Sequence, residues 1–245
     1  MYKDRILAFI DVLGFSNTVK KTVNNNPLKN NENYLVEDLI ETQRIDKFFC
    51  DIKWDLIYKD LYLSEDSRIK SKIINQLSDS IIISYLSTEK GDEIERILHG
   101  SYSLCRAAIQ NGFLLRGAIV CDKICHTEDK IFGPALVKAV EMEKNMAIYP
   151  RIIIDDAIHN INREEHLKYL IKDFDGLYFI NYFSELNMGL NYETEKNDYL
   201  TNLTDIMKKM ENIKEIAIKS KYLWLKEKYN KHIIKQAYGV YKHSN

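Results

Sequence analysis

Two runs of three isoleucines, residues 81–83 and Ile152–Ile154, constrain this chain more than any other feature. Successive side chains of a strand point to opposite faces, so an unbroken β-branched run is apolar on both. Such a strand belongs inside a sheet whose two faces are covered. The first run sits in Ser80–Leu86, and residues 72–77 before it are also β-rich. Only Ser78 and Asp79 separate the two segments, so together they read as a hairpin. Residues 6–10 form a further apolar run that ends at Asp11. The turn Leu13-Gly14-Phe15-Ser16 follows, and then a segment with helical character to about Val23.

Six asparagines and one proline at 24–33 predict a loop. Residues 34–62 have helical spacing and carry Phe48, Phe49 and Trp54, as an insertion packed on the main body would. An amphipathic helix is predicted at 93–110, stopped by Asn111-Gly112. A strand at 113–120 contains Arg116 and Gly117. Gly133-Pro134 opens a helix to about 147, since proline suits the first helical position. Asp173-Phe-Asp-Gly176 reads as a turn before an aromatic strand, residues 184–198 as a loop, and 204–229 as one long charged helix. Its apolar side would hold Ile206, Met210, Ile213, Ile216 and Ala217. The fold class predicted is α+β: a ferredoxin-like βαββαβ core whose antiparallel sheet is covered by helices. Residues 1–183 would form the core, with the insertion at about 25–70, and 184–245 a C-terminal loop and long helix packed on the core or at a dimer interface.

The 35 Lys+Arg against 36 Asp+Glu leave a net charge of −1, which argues against nucleic-acid binding by bulk charge. No apolar run approaches the length of a membrane span, and no leader opens the chain, so a cytoplasmic protein with reduced thiols is expected. Of the 4 cysteines only Cys121 and Cys125 are close, which is too few for a zinc site. The 6 histidines show no metal-ligand spacing, and His126 reads as part of an exposed loop.

Asp11 and Asp79 carry the chemistry. Each punctuates an apolar strand, and in a ferredoxin-like order the first strand lies beside the hairpin. Both carboxylates then reach the same end of the sheet. Neighbouring carboxylates repel, and a hard divalent cation compensates them. Two such ions, Mg²⁺ or Mn²⁺, can clamp the attacking and leaving oxygens of a phosphoryl transfer. The backbone N–H groups of the turn Gly14-Phe15-Ser16 would cradle phosphates.

Four segments carry a resemblance to a known family. Phe9-Ile-Asp11-Val-Leu-Gly14-Phe15-Ser16 looks like the opening motif of the class III nucleotidyl (adenylate/guanylate) cyclases. Leu77-Ser-Asp79-Ser80 looks like their hairpin motif, and Leu115-Arg116-Gly117-Ala-Ile119 like their Arg-x-Gly-Ile strand. Residues 131–137 look like the segment that enters their next helix. The segments stand in the family's order. The resemblance implies a cyclase or palm-type core and metal ligation by Asp11 and Asp79, with the Val12 carbonyl nearby. It also implies a head-to-tail homodimer with sites at the interface. The expected reaction converts a nucleoside triphosphate to a 3′,5′-cyclic nucleotide and pyrophosphate.

Departures from the family narrow this expectation. Its transition-state Asn and Arg fall four and eight residues after the helix-entry glycine, where this chain has Val137 and Glu141. Arg116, Lys138 or Arg151 would have to substitute. Arg116 also reads as a surface arginine at a strand end, Arg151 as an internal ion pair, and Glu141 and Glu143 as helix-surface partners of Lys138. Purine-reading positions are filled by Asn75, near Ile73, and by Lys130, beside Asp129. Adenine or guanine recognition is therefore unsupported, and the chain is similar in this respect to the Pycsar-type pyrimidine cyclases of bacterial anti-phage defence. A catalytically silent cyclase fold that binds a nucleotide or partner, and a palm-type enzyme that makes an oligonucleotide, are the alternatives.

Overall fold

Strand β1 (Lys3–Leu13) is nearly all apolar from Ile6 to Val12, and it forms the middle of the sheet. The computed structural model describes residues 1–22, 36–53, 71–88, 91–160, 168–184 and 192–234. After β1 come helices α1 (Phe15–Thr22) and α2 (Val36–Lys53), then the hairpin β2 (Ile73–Leu77) and β3 (Ser80–Leu86). Helix α3 (Asp92–Gln110) leads to β4 (Leu114–His126). β1 pairs antiparallel with β3 on one side and β4 on the other, and β2 pairs antiparallel with β3. The order β2-β3-β1-β4 with antiparallel neighbours is the predicted ferredoxin-like arrangement.

Beyond β4 the sheet continues, and here it departs from the wholly antiparallel expectation. The chain passes through β5 (Ile131–Phe132) and helix α4 (Pro134–Asn145) into β6 (Ile152–Ile154), which is parallel to β4. A helical crossover returns the chain in its original direction, and that makes the pairing parallel. Helix α5 (Asp156–Asn160) follows, and the hairpin β7 (Leu170–Lys172) and β8 (Tyr178–Ile180) completes the edge. Both isoleucine triplets are buried along their whole length.

The α2 insertion docks through aromatic rings. Phe48 lies 4.8 Å from Phe113, and Phe49 meets Phe15 edge-on at 5.7 Å. Asn111 Nδ2 donates to Asp51 Oδ2 at 2.8 Å, which ties α2 to the end of α3. Gly112, at φ +75, makes the stop predicted for α3. The loop predicted at 24–33 and residues 54–62 of the predicted insertion lie outside the described residues, as do residues 185–191.

The single C-terminal helix is corrected to two, α6 (Tyr192–Glu211) and α7 (Ile216–Tyr229), and α6 takes in residues 192–198 of the predicted loop. Glu215 has extended backbone, φ −64 and ψ 121, and its carbonyl starts α7 by accepting from Ile218 and Lys219 N–H. The inward stripe of α6 is Tyr199, Leu203, Ile206 and Met207. Ile216, assigned above to the apolar side, is 85% exposed, because the break rotates it outward. Among the described residues no helix is long and apolar enough to cross a membrane.

Gly117 shows why β4 carries a glycine. It faces Ile10 in the register, and a Cβ there would collide with the Phe9 carbonyl oxygen and crowd Ile10 Cα at 3.1 Å. Gly117→Ala must therefore push apart the two central strands. A loss of about 1–3 kcal/mol is expected, read as a lower denaturation midpoint.

Candidate active site

The pairing of β1 with the hairpin brings the two predicted acids together. Asp11 faces Ser80 across the strands, and Val12 N–H donates to the Asp79 carbonyl at 3.1 Å. Ser78 takes a positive φ of 56, which closes the tight hairpin end and carries Asp79 beside β1. The Asp79 carboxylate makes no hydrogen bond or ion pair with any described residue. Burial raises the Asp11 pKa above the ordinary carboxylate value; Arg116 opposes this, and the Asp79 charge adds to it.

Arg116 sits opposite Asp11 in the β1–β4 register, inside the strand and not at its end. Its Nε donates to Asp11 Oδ2 at 3.2 Å and lies 2.6 Å from Glu143 Oε1. Glu143 is buried on the inner face of α4 with Ala135, Ala139 and Met142. This corrects its assignment to the helix surface as a partner of Lys138. Burial raises its pKa, Arg116 opposes that, and Asp11 adds to it. Lys221 of α7 belongs to the same electrostatic cluster. Burial lowers its pKa and Arg116 lowers it further, while Glu215, Asp11 and Glu143 pull it upward. Neither Glu143 nor Lys221 was among the residues selected from the sequence.

The remaining candidates separate. Gly14, at φ +75, accepts from Asn17 and Thr18 N–H, so the first N–H groups of α1, on Phe15 and Ser16, precede its internal bonds. The Phe15 ring itself packs into the core. The Lys138 ammonium is paired with Asp155. Arg151 is 0% exposed and its guanidinium is divided between Asp173 and Asp175, so it presents nothing to a substrate. It is an internal ion pair, and it is withdrawn as a catalytic candidate. Asp173 and Asp175 do flank a turn, with Gly176 at φ +87. Val137 and Glu141 lie exposed on the outer face of α4.

Asn75 and Lys130 come near one another across a polar relay. Arg5 Nε donates to Ser84 Oγ at 2.7 Å, Ser84 Oγ lies 2.7 Å from His126 Nδ1, and His126 Nε2 bonds Asn75 Oδ1. Asn75 Nδ2 then donates to the Glu128 carbonyl at 3.0 Å, in the turn that holds Lys130. One donor order satisfies every bond: the Ser84 hydroxyl donates to Nδ1, and Nε2 carries the histidine proton. His126 is thus buried, not in an exposed loop, because β4 runs on to residue 126. Burial, reinforced by Arg5, pushes its pKa down from 6.5 to about 4. The unfolded histidine takes a proton below pH 6.5 and the folded one does not. Stability should therefore decline between pH 6.5 and about 4, and chemical denaturation of His126→Gln across that range should show a flatter profile.

Asp11, Asp79 and the turn at Gly14 suit a divalent cation with a phosphate. Mg²⁺ keeps several waters and is commonly held by one or two carboxylates plus phosphate oxygens. The Asp79 carboxylate, without a bonding partner among the described residues, and Asp11 beside it fit that donor set. Among the described residues no group of three or more His, Cys, Asp or Glu side chains is placed to hold a metal ion.

No protein-family model matches the chain, and no curated protein matches it in sequence. The solved structures similar to it include an adenylate/guanylate cyclase/hydrolase from Silicibacter pomeroyi, at 15% identity and TM-score 0.39, covering 74% of this chain and 95% of that one. They also include a class III adenylyl cyclase-like ATP-binding protein from Pseudomonas aeruginosa, at 8% identity and TM-score 0.42, covering 94% of this chain and 44% of that one.

Proposed function

We propose that the chain is a metal-dependent nucleotidyl cyclase whose substrate is a nucleoside triphosphate, with a pyrimidine base preferred. The observation that carries this reading is the Asp79 carboxylate, which has no bonding partner among the described residues and stands beside Asp11 at one end of the sheet. Asp11 and Asp79 would hold the divalent ion, with the Val12 carbonyl as a further candidate ligand. The bound ion supplies charge neutralisation of the triphosphate and acidification of the ribose 3′-hydroxyl. The N–H groups of Phe15 and Ser16 bind phosphate oxygens. Arg116, bonded to Asp11 and Glu143, would turn from Asp11 to meet the phosphate while Glu143 keeps hold of it. The 3′-oxygen bonds to the α-phosphorus, its proton passes to solvent, and the bond from that phosphorus to the bridging oxygen breaks. Pyrophosphate and a 3′,5′-cyclic nucleotide result.

Asn75 and the turn carrying Lys130 are the proposed base-facing elements. A head-to-tail homodimer is proposed with the same reading, and the exposed Val137 and Val140 on α4 give a second copy an apolar surface to cover. Incubation with each of the four NTPs and Mn²⁺ should release pyrophosphate from at least one, UTP or CTP foremost. Product mass distinguishes a cyclic mononucleotide from an oligonucleotide.

A second reading, a nucleotide-binding protein without turnover, is favoured by Val137 and Glu141. Neither supplies the donor or cation that a pentavalent phosphate needs. Nucleotide-induced stabilisation with no pyrophosphate from any NTP would select it.

A further inference from the structure

Helix α2, the end of α3 and helix α6 enclose a groove of about 380 Å³, and none of its lining residues belongs to the Asp11–Asp79 site. That volume is the size of a small-molecule site. α2 contributes Arg44 and Lys47, the end of α3 Gln110 and Asn111, and α6 Asn202 and Lys209. The three walls are tied to one another. Asn202 Nδ2 donates to the Gln110 carbonyl at 3.4 Å, and Asn111 Nδ2 donates to Asp51 of α2 at 2.8 Å.

Arg44 is held in the wall of this groove from three sides. Its guanidinium carbon lies 4.6 Å from the centre of the Phe113 ring, and its Nη2 is 2.5 Å from Glu41 Oε2. Its Nη1 stands 3.2 Å from the point that a Gly112 Cβ would occupy, so the glycine leaves it room. Ring and carboxylate together fix a planar donor group in one orientation. Yet Nε is buried and has no hydrogen-bond partner among the described residues. A buried donor without an acceptor is costly, and a bound acceptor removes the cost.

Lys47 of α2 and Lys209 of α6 make no hydrogen bond or ion pair with any described residue. Among the lining residues Asp205 is the one carboxylate, and it is bonded to Lys208 at 3.0 Å. Three cations therefore line a groove whose single acid is engaged elsewhere. That balance calls for an anion of more than one charge. With one carboxylate in the lining, the anion comes without a divalent cation.

We propose that this groove binds a small phosphate-bearing molecule without a metal ion. Its phosphate accepts from Arg44 Nε and pairs with Lys47 and Lys209, and so bridges α2 to α6. The site is separate from the one that would take the nucleoside triphosphate, and it makes the opposite demand of a metal.

The probe is inorganic phosphate, titrated into the full ¹⁵N-labelled chain in EDTA at constant ionic strength and followed by amide chemical shifts. Saturable shifts are expected at Asn111, Gly112 and along α2 and α6, with the amides around Asp11 and Gly14 unmoved. Lys47→Met combined with Lys209→Met should weaken binding at least about 10-fold. Both lysines are exposed, and an unchanged melting temperature in the absence of phosphate verifies that the variant folds. Phosphate should raise the melting temperature of the wild type more than that of the double variant. Lys219→Met, on an exposed lysine of α7, should bind like the wild type. Shifts that do not saturate, shifts confined to the Asp11 end of the sheet, wild-type affinity in the double variant, or equal weakening in Lys219→Met overturns the site. An equal response to acetate overturns the assignment of the ligand as a phosphate.

Discussion

Asp173→Ala is expected to cost about 3–5 kcal/mol, the usual consequence of removing one partner from a buried ion pair. For a chain of this size that corresponds to roughly 6–20 °C in melting temperature. The Asp173 side chain is 0% exposed and serves four donors at once: the guanidinium of Arg151, the ammonium of Lys228, the indole N–H of Trp224 and the backbone N–H of Phe174. Its removal leaves Arg151 with Asp175 alone and Lys228 with Glu227 alone among their described carboxylate partners. Differential scanning calorimetry measures the effect, and a shift under a few degrees would refute it. The pH dependence has a definite sign. Burial would raise the Asp173 pKa, but the bonds from Lys228, Trp224 and the Phe174 N–H, with the Arg151 charge, hold it below 3.8. The unfolded carboxyl therefore protonates first as the solution is acidified. This contribution is complete above the unfolded value and is lost as pH falls through the lower folded one.

Asp79→Asn is expected to reduce pyrophosphate release at least 100-fold or so, since even groups that only support a metal ligand cost 10- to 100-fold. The stabilisation that Mn²⁺ confers on melting should disappear with it. Asp11→Asn should be as damaging to turnover and different in its effect on folding. Burial and Asp79 both disfavour the Asp11 charge, while Glu143 would still neutralise Arg116. Removal of the Asp11 charge should therefore leave stability unchanged or slightly raised. Turnover intact in both variants would refute the metal-site reading.

Much of the core was legible because its signals are local. The β-branched runs, the two-residue hairpin end, Asn111-Gly112 and Gly133-Pro134 each define an element without reference to the rest of the chain. The meeting of Asp11 and Asp79 followed from strand order alone. The break between α6 and α7 was not legible, because residues 212–215 contain neither glycine nor proline. The start of α7 is marked only by the extended backbone of Glu215, whose carbonyl accepts from Ile218 and Lys219 N–H. Glu143 and Lys221 were obscured by their charge. Each stands on the apolar stripe of its helix, Glu143 with Ala135, Ala139 and Met142, Lys221 with Trp224 and Leu225, and stripe membership was the available signal. For Arg151 the internal ion pair was an alternative the sequence offered, but its partners were not nameable, because they belong to a hairpin some twenty residues further along.

The central position of β1 has a consequence for biosynthesis. Its two neighbours are translated later, and the Asp11–Arg116 bond alone spans 105 residues. Until the first of them emerges, the ribosome extrudes an apolar strand with neither edge occupied, and until the second does one edge stays open, the condition in which nascent chains stick to one another. Yield of this protein in recombinant hosts should therefore respond to holdase chaperones and slower translation more than to any gain in equilibrium stability.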